Sequence, residues 1–357
     1  MKFGQLHLFE RPAGRAAKEI IDEQMDFMLR AQEFGFDSVW PAEHHFREYG
    51  HCATPALILA ALAMRTTTLR LGTGVVVLPL NHPVRVAEDY AFLDILSNGR
   101  IDLGIGRGYQ PHEYQGYGVD QTRSRDIFRE SVDVIQRAWT EESFSYQGEF
   151  YQFEDLSVYP KPLQKPHPPV WMASVSPETF EICGRHGFNL LCAPIFGFNV
   201  QTGANQIAQY KEALKAHGRD PAKYGVGAVS LTYVADTTEQ ALQEFQDGVM
   251  WYMKTFQKYV STPKGQAPIP TFELYAQIRD LLDLAEWDRL LAAGAVVCGS
   301  PDQVVDQIGK MIETCGFTEY LAWTRVGGLD HKKVMHCMEL MAEKVIPQLR
   351  GAGVAAK

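Results

Sequence analysis

Short apolar runs alternate with longer segments of helical period along most of the chain. The apolar runs are rich in β-branched and aromatic residues, as buried strands are, whereas the longer segments place apolar residues three and four positions apart. Strands are predicted at residues 3–9, 36–42, 69–78, 101–106, 170–174, 189–193, 226–234 and 320–323. Helices are predicted at residues 16–34, 55–65, 84–96, 124–139, 177–185, 203–216, 239–259 and 332–345. Eight strand–helix pairs favour an α/β fold closed into a (β/α)8 TIM barrel over an open sheet.

Two segments interrupt this repeat. Aromatic residues alternate between residues 143 and 160, with Gly148 at a turn, which predicts a β-hairpin. Residues 260–293 contain three prolines followed by a mixed, helix-like run. An insertion of this length is often a mobile lid, and a packed surface helix is the alternative interpretation. We therefore expect a single barrel domain over residues 1–357 that carries these two insertions.

Composition and charge narrow the classes of partner. The 357-residue chain has a net charge of -9, which argues against nucleic acid or an anionic membrane as the main partner. No apolar run is long enough to span a membrane and the N-terminus leads directly into a strand, so we expect a cytoplasmic protein without a signal peptide. The six cysteines show no C-x-x-C spacing, so neither a metal site nor a disulfide framework is expected.

A carboxylate and two imidazoles follow the second predicted strand, at Glu43, His44 and His45. The carboxyl ends of parallel strands are where α/β barrels collect their catalytic groups. Neighbouring residues on an extended chain point to opposite sides, so at most one of the two histidines faces a given site. The motif predicts a catalytic site, with a merely polar loop or a metal-binding pair as the alternatives.

Two further segments indicate an anion site. The glycine-rich stretch 99–108 lacks the helix that a dinucleotide fingerprint requires, so its glycines are expected to let the backbone approach a flat ligand. Arg107 and Arg125 are candidate phosphate ligands, with surface ion pairs as the alternative. Ser176 and Thr179 lie where a helix begins after the fifth strand, and a helix start both needs a cap and attracts anions. One phosphate site without a diphosphate motif indicates a mononucleotide.

Taken together, these motifs resemble the bacterial luciferase family of flavin-dependent monooxygenases. The likeness rests on residues 42–46 (AEHHF), 82–89 (HPVRVAED), 99–108 (GRIDLGIGRG) and 124–125 (SR), and it is greatest for the catalytic alpha subunit of luciferase. The resemblance implies a (β/α)8 barrel and a two-component enzyme, to which a separate flavin reductase supplies reduced FMN. It also implies that O2 forms a C4a-peroxyflavin, which oxidises a small substrate such as an aldehyde, a ketone or another apolar compound.

The resemblance also implies roles for individual residues. His44 corresponds to the catalytic histidine of the family. The positions that contact the cofactor in the family are occupied here by Glu43, Gly74, Val75, Arg107, Arg125, Ser176 and Thr179. The family often has a non-proline cis peptide in the region of Gly74 and Val75. Glu113 replaces an aspartate near the flavin, so we expect it at the substrate pocket.

The chain departs from luciferase at several positions. Gly106 replaces a reactive cysteine, Val175 replaces a glutamate, and residues 193–199 and 260–293 match poorly. Neither light emission nor a long-chain aldehyde substrate is therefore implied. A deazaflavin-dependent oxidoreductase on the same barrel stays open as an alternative. A non-catalytic flavin-binding partner subunit is the other alternative, although the non-catalytic luciferase subunit lacks the equivalents of both His44 and Arg107.

The segments 55–65 and 84–96 are more apolar than the outer helices of a monomeric barrel should be. Luciferase-like proteins pair through these two helices, and a two-fold interface is the commonest way to cover such a surface. The expectation is a homodimer, or a heterodimer with a related subunit.

Overall fold

The computed structural model of the chain describes residues 1–173, 177–193 and 200–351. Its strands are β1 (Lys2–His7), β2 (Ser38–Pro41), β3 (Arg70–Gly72), β4 (Val76–Val77), β5 (Ile101–Gly106), β6 (Phe144–Gln147), β7 (Gln152–Leu156), β8 (Val170–Ala173), β9 (Asn189–Cys192), β10 (Val226–Val234), β11 (Val296–Gly299) and β12 (Glu319–Trp323). Its helices are α1 (Ala17–Arg30), α2 (Pro55–Ala63), α3 (Pro83–Leu96), α4 (Pro111–Tyr117), α5 (Ser124–Thr140), α6 (Pro177–His186), α7 (Val200–Ala216), α8 (Thr238–Tyr259), α9 (Glu273–Leu281), α10 (Trp287–Ala292), α11 (Pro301–Cys315), α12 (His331–Leu340) and α13 (Ile346–Gly351).

Eight parallel strands close into a barrel. β1 pairs with β2 on one side and with β12 on the other. The order continues through β3, β5, β8 and β9 to β10, and β10 returns to β12. Helices separate the strands along the chain, so the predicted (β/α)8 TIM barrel is confirmed.

The burial pattern explains why these segments adopt these structures. All nine residues of β10 are buried, as expected for a parallel strand that is covered on both faces. On α1, Ile20, Phe27 and Met28 are buried on one face of the helix, which packs against the barrel. No helix within the described residues combines the length and the apolar character that crossing a membrane requires.

The predicted strand at residues 69–78 is divided into β3 and β4. Gly72 lies opposite Asp102 on β5, whereas Val76 lies opposite Ile105. Four steps along this segment therefore match three steps along β5, and the extra residue interrupts the strand pairing. The peptide bond between Gly74 and Val75, within the interruption, is cis.

Two short elements were not predicted from the sequence. β11 extends the sheet beyond the barrel, because Leu231 of β10 pairs with Trp323 on one side and with Val296 of β11 on the other. α4 follows β5 and begins with Pro111 in its first turn. It carries Glu113.

The two interruptions of the repeat take different forms. Residues 144–156 form an antiparallel pair of strands, β6 and β7. Residues 260–293, which we name the insertion segment, contain α9 and α10 and lie between α8 and β11.

Polar groups at the N-terminal end of the barrel are paired with one another. The indole Nε1 of Trp40 donates to Oγ of Ser38 at 2.8 Å, and that hydroxyl donates to Glu319. Nε of Arg70 donates to Oδ2 of Asp102 at 2.5 Å. Burial raises the pKa of Glu319 to about 7, against the opposing effect of the Ser38 hydrogen bond.

Candidate active site

The C-terminal end of the barrel opens into a cavity of ≈ 380 Å³. The residues predicted from the sequence that line it are Glu43, His44, Gly74, Val75, Arg107, Arg125 and Thr179. They come from the ends of different strands and from α5 and α6, and the fold brings them together. Ser176 lies outside the described residues.

His44 is held against the cavity by Glu113. Its Nδ1 lies 3.0 Å from Oε1 of Glu113, and the same oxygen accepts a hydrogen bond from the backbone N–H of His45 at 2.9 Å. Since a carboxylate only accepts, Nδ1 of His44 carries the hydrogen. Nε2 of His44 makes no hydrogen bond within the described part of the chain, so this nitrogen is available to a ligand.

Glu113 is 1% exposed and lies behind His44, not among the residues that line the cavity. Burial is the largest single influence on its pKa and acts to raise it. The charge and hydrogen bond of His44 and the backbone N–H of His45 act together against burial, so the pKa of Glu113 is lowered. Glu113 therefore contacts the candidate catalytic histidine as a carboxylate, and it is not placed where a substrate would touch it.

Glu43 connects the histidine loop to the β4 region. Its Oε1 accepts hydrogen bonds from Nε2 of His45 at 3.0 Å and from Nδ2 of Asn81 at 2.9 Å. Its Oε2 accepts from the backbone N–H of Val77 at 3.0 Å. His45 also meets the hydroxyl of Tyr117 at 3.2 Å, so both of its ring nitrogens are used away from the cavity.

The glycines of β5 pack closely against the segment that contains the cis peptide. A Cβ on Gly104 would lie 1.8 Å from the carbonyl oxygen of Thr73, and one on Gly106 would lie 2.8 Å from the side chain of Val75. Gly104 thus allows two backbones to approach each other, and the flat ligand expected beside this stretch stays a prediction. Gly106 also lines the cavity, where a larger side chain would displace Val75.

Arg107 follows directly after β5 and is covered by the insertion segment. Its Nη1 donates to Oγ1 of Thr271 at 3.1 Å and its Nη2 to the Thr271 carbonyl at 3.4 Å. The guanidinium lies over the ring of Phe272, 4.6 Å from the centroid. Burial lowers the pKa of Arg107, so the folded protein holds a partly desolvated cation at the cavity wall.

Arg125 lies beside Arg107 in the cavity wall and is paired with Glu178 of α6. Its Nη2 is 2.8 Å from Oε2 of Glu178. Its Nε is a buried donor without a hydrogen-bond partner among the described residues. Arg125 therefore retains a donor for a ligand.

Three tyrosines that the sequence did not single out as functional line the cavity next to His44. The hydroxyl of Tyr49 is 2.7 Å from that of Tyr109 and 2.8 Å from that of Tyr252. We name this set the tyrosine chain. The Tyr49 ring meets the His44 ring edge-on, with centroids 4.7 Å apart. Tyr109 was detectable as the residue two positions after Arg107 at a strand end, whereas Tyr252 lies on an amphipathic helix that gives no such signal.

The insertion segment contributes an aromatic wall. Tyr275 of α9 stacks on Tyr109, with ring centroids 5.1 Å apart and planes inclined by 11°. Leu274 and Ile278 of the same helix also line the cavity. In the described ranges, no group of three or more histidine, cysteine or acidic residues could hold a metal ion.

Comparison with known proteins identifies the family and the fold. The sequence model of the luciferase-like monooxygenases matches residues 1–319. The oxygenase component of flavin-dependent trigonelline monooxygenase from Acinetobacter baylyi is 29% identical over 97% of this chain and 95% of its own length.

Two solved structures share the fold. Monooxygenase RslO1 from Streptomyces bottropensis superimposes with a TM-score of 0.84 and 27% identity, covering 98% of this chain and 99% of that one. An F420-dependent secondary alcohol dehydrogenase superimposes with a TM-score of 0.77 at 18% identity, with the same coverage of 98% and 99%. The second likeness concerns the fold alone. With a family match that spans most of its length, the chain belongs to the luciferase-like family of flavin-dependent monooxygenases.

Proposed function

We propose that the protein is the oxygenase of a two-component system, which receives reduced FMN from a separate flavin reductase and uses O2 to oxidise a neutral organic substrate. The observation that carries the proposal is one apolar cavity lined by both His44, with Nε2 available, and Arg107, a buried cation. The relative from Acinetobacter baylyi is named as an oxygenase component, which supports a partner reductase.

The residues at one end of the cavity fit a single phosphate group. Arg107 and Arg125 line this end together with Thr179 in the first turn of α6. A phosphate oxygen would satisfy the buried Nε of Arg125, and a helix start favours negative charge. FMN carries one phosphate monoester, and we retain Ser176 as a further proposed ligand.

The flavin ring would lie against Gly74 and Val75, beside Glu43. Both oxygens of Glu43 are engaged by protein donors, so its proposed role is to hold this wall in place. Reduced flavin, when bound there, supplies the electrons that activate dioxygen.

His44 would hold or move a proton at Nε2. Glu113 fixes Nδ1 as the protonated nitrogen, so the neutral ring presents an acceptor to the cavity and the charged ring presents a donor. General acid–base groups of this kind contribute about 100- to 10,000-fold to a rate. Glu113 is a positioning residue in this scheme, since it touches His44 and not the substrate.

The insertion segment would exclude water from the reaction. Its Leu274, Tyr275 and Ile278 line the cavity. Excluding water from this space prevents side reactions that would consume O2 and reduced cofactor without oxidising the substrate. This is the proposed lid function of residues 260–293.

The lining of the cavity supports an uncharged substrate. Away from the two arginines its wall contains apolar residues such as Leu8, Leu191 and Val229. An aldehyde, a ketone or another apolar compound could bind against this wall without bringing in a charge that the cavity would leave unpaired.

The exposed faces of α2 and α3 support a dimer. Large apolar side chains there are solvent-exposed in the single chain, namely Leu57 and Met64 at 71% and Phe92 at 54%. A two-fold partner, either a second copy or a related subunit, would cover them. Light scattering at micromolar concentration should give twice the chain mass, and the mass of a single chain would contradict the dimer.

The test is a single turnover with photoreduced FMN. The purified protein is mixed with reduced FMN and then with 18O2 in the presence of a panel of aldehydes and ketones. One labelled oxygen atom in the product supports the monooxygenase. A parallel reaction supplies reduced deazaflavin without O2.

The alternatives give different results in this experiment. Reduction of a carbonyl compound by the deazaflavin, with no labelled product from FMN, would identify a deazaflavin oxidoreductase. Flavin binding without either reaction would identify a non-catalytic subunit. An Arg107→Ala variant is the matched control, because it should bind reduced FMN more weakly while keeping its fold.

A further inference from the structure

A buried acidic residue lies directly behind the cavity wall. Glu10 is 0% exposed, and neither of its carboxyl oxygens has a hydrogen-bond partner among the described residues. The indole N–H of Trp323 and the backbone N–H of Gly327 lie next to this carboxyl. Trp323 itself lines the cavity, so one residue separates Glu10 from the space in which the proposed reaction takes place.

An arginine with unused donors accompanies Glu10. Arg325 is 1% exposed, and its Nε and Nη1 have no hydrogen-bond partner among the described residues. Its Nη2 pairs with Glu23 of α1, but no ion pair within 4 Å joins it to Glu10 in the same part of the chain. Buried polar groups without partners cost several kcal/mol each. Ordered water between the two side chains would satisfy both of them.

The tyrosine chain leads from the cluster of Glu10 and Arg325 to His44. Tyr252 packs edge-on against Trp323, with ring centroids 4.4 Å apart, and its hydroxyl meets that of Tyr49 at 2.8 Å. Tyr49 in turn contacts the ring of His44 and the hydroxyl of Tyr109. Hydroxyl groups at these separations can each donate one proton and accept another.

The other side of the cluster reaches the protein surface. The side chain of Glu23 is 20% exposed, and Nη2 of Arg15 lies 2.9 Å from it. Polar groups therefore lie in order from solvent at α1, through Glu23, Arg325 and Glu10, to the tyrosine chain in the cavity wall. Buried water would bridge the gaps on either side of Glu10.

We propose that Glu10 is a proton relay, which passes protons from solvent at Glu23 through buried water to the tyrosine chain and so to His44. The proposal rests on the proposed monooxygenase function. The balanced reaction is S + O2 + FMNH⁻ + H⁺ → SO + FMN + H2O, where S is the substrate, so each turnover takes up one proton. Glu10 gives its proton toward Tyr252 and regains one from the water beside Arg325.

The surroundings of Glu10 keep a proton on it near neutral pH. Burial raises the pKa of Glu10 to about 8, against the opposing charge of Arg325. The charge of Arg325 also acts on His7, and burial lowers the pKa of His7 to about 3, so this imidazole stays uncharged. The remaining groups that face Glu10 and Arg325 are Glu23 from α1, Arg15 just before α1 and Tyr252 from α8, and burial raises the pKa of Tyr252.

The test combines infrared spectroscopy with single-turnover kinetics on the full-length protein. The wild type should show a protonated carboxyl band that titrates with a midpoint near pH 8. This band should be absent from Glu10→Gln. The variant should form product at least tenfold more slowly at pH 7, with unchanged FMN affinity, and should lose the pH dependence centred near 8.

A matched control is available at the opposite end of the barrel. Glu319 is also buried with a raised pKa, so Glu319→Gln should remove a carboxyl band and leave the product rate unchanged. Tyr252→Phe interrupts the relay without altering Glu10, so it should form product as slowly as Glu10→Gln. This variant tests the relay by itself if Glu10→Gln does not fold.

The outcomes separate the two proposals. A wild-type rate and pH profile in Glu10→Gln, or in Tyr252→Phe, would overturn the relay while leaving the monooxygenase in place. The absence of a protonated Glu10 band would overturn the relay by itself. Failure of the wild type to make any oxygenated product would overturn the proposed function and the relay with it.

Discussion

The two ends of the barrel differ in how completely their buried polar groups are paired. At the N-terminal end, Asp102 is paired with Arg70, and Glu319 accepts from the Ser38 hydroxyl. At the C-terminal end, Nε of Arg125 and both oxygens of Glu10 have no partner among the described residues. Other groups at the C-terminal end are paired, since both oxygens of Glu43 accept hydrogen bonds there.

Paired and unpaired buried polar groups contribute to different properties, namely the stability of the fold and the binding of ligands. A satisfied polar network fixes one arrangement of side chains, whereas an unsatisfied one stabilises little until a ligand or water completes it. In β/α barrels the N-terminal face contributes to stability and the C-terminal face contributes the site. Variants at the N-terminal end should therefore change the free energy of unfolding, whereas variants at the C-terminal end should change FMN affinity or the rate of product formation.

The largest effect is expected at His44. His44→Ala should cut single-turnover product formation by about 100-fold or more, because it removes the proposed acid–base group. Its FMN affinity should stay close to that of the wild type, and its stability should fall by only ~1–2 kcal/mol through loss of the Glu113 contact. His45→Ala is the control: it leaves Glu43 one donor short, so it should lower the melting temperature and leave the product rate within a few fold. Equal product rates in His44→Ala and the wild type would remove the catalytic role.

The N-terminal end is tested by Arg70→Ala. This change leaves the carboxylate of Asp102 buried without its charged partner. The free energy of unfolding should fall by ~2–3 kcal/mol, near the lower limit for breaking a buried pair, because 27% of the Arg70 side chain is exposed. Urea unfolding measures the loss. An accompanying loss of FMN affinity would contradict the separation of the two ends.

The C-terminal end is tested by Arg107→Ala. FMN binding should weaken by ~1.5–3 kcal/mol, the range for a hydrogen bond to a charged group. The free energy of unfolding should change little, because burial already disfavours the charged form of this guanidinium. Fluorescence quenching and urea unfolding measure the two quantities. Arg129→Ala, which removes a neighbouring exposed ion pair to Glu178, should leave FMN affinity unchanged.

The smallest effect concerns the pH dependence of stability at Glu113. Its pKa is lower in the folded protein, so its contribution to stability is present above its unfolded pKa and is lost as the pH falls through the folded pKa. Glu113→Gln should be less stable than the wild type by ~1–2 kcal/mol at pH 7. The difference should begin to shrink as the pH falls below the unfolded pKa of about 4.3 and disappear once the pH is below the folded pKa. Chemical unfolding at pH 7 and in acid measures it, and a difference that is constant with pH would contradict the ionised contact with His44.

The sequence predicted those features that each depend on one continuous segment. A run such as β10 is apolar throughout because both faces are covered, and the strand ends then indicate where Glu43, His44 and Arg107 lie. The pattern failed for β11, which has four residues, as β8 and β9 do, but is additional to the eight strand–helix pairs of the repeat. It also failed for α4, whose seven residues include Gly116 and three aromatic or imidazole side chains that obscure an amphipathic pattern.

The contacts that complete the site join distant segments, and a single sequence does not contain them. Tyr49 is 60 residues from Tyr109 and 203 residues from Tyr252. His44 and Glu113 are 69 residues apart, and the resemblance alone assigned Glu113 to the pocket. Only the closure of the barrel determines that this carboxylate faces the histidine from behind.

The hydrogen bonds between Arg107 and Thr271 leave part of the guanidinium open to a second partner. Thr271 takes two of the five N–H donors, so a phosphate can bind the others while Thr271 stays in place. Affinity for an anion and docking of residues 260–293 are then thermodynamically linked through the position of the guanidinium, and the linkage is reciprocal. Whatever tightens this segment onto Arg107 also strengthens anion binding by the same factor, so the segment sets how readily a bound anion is released.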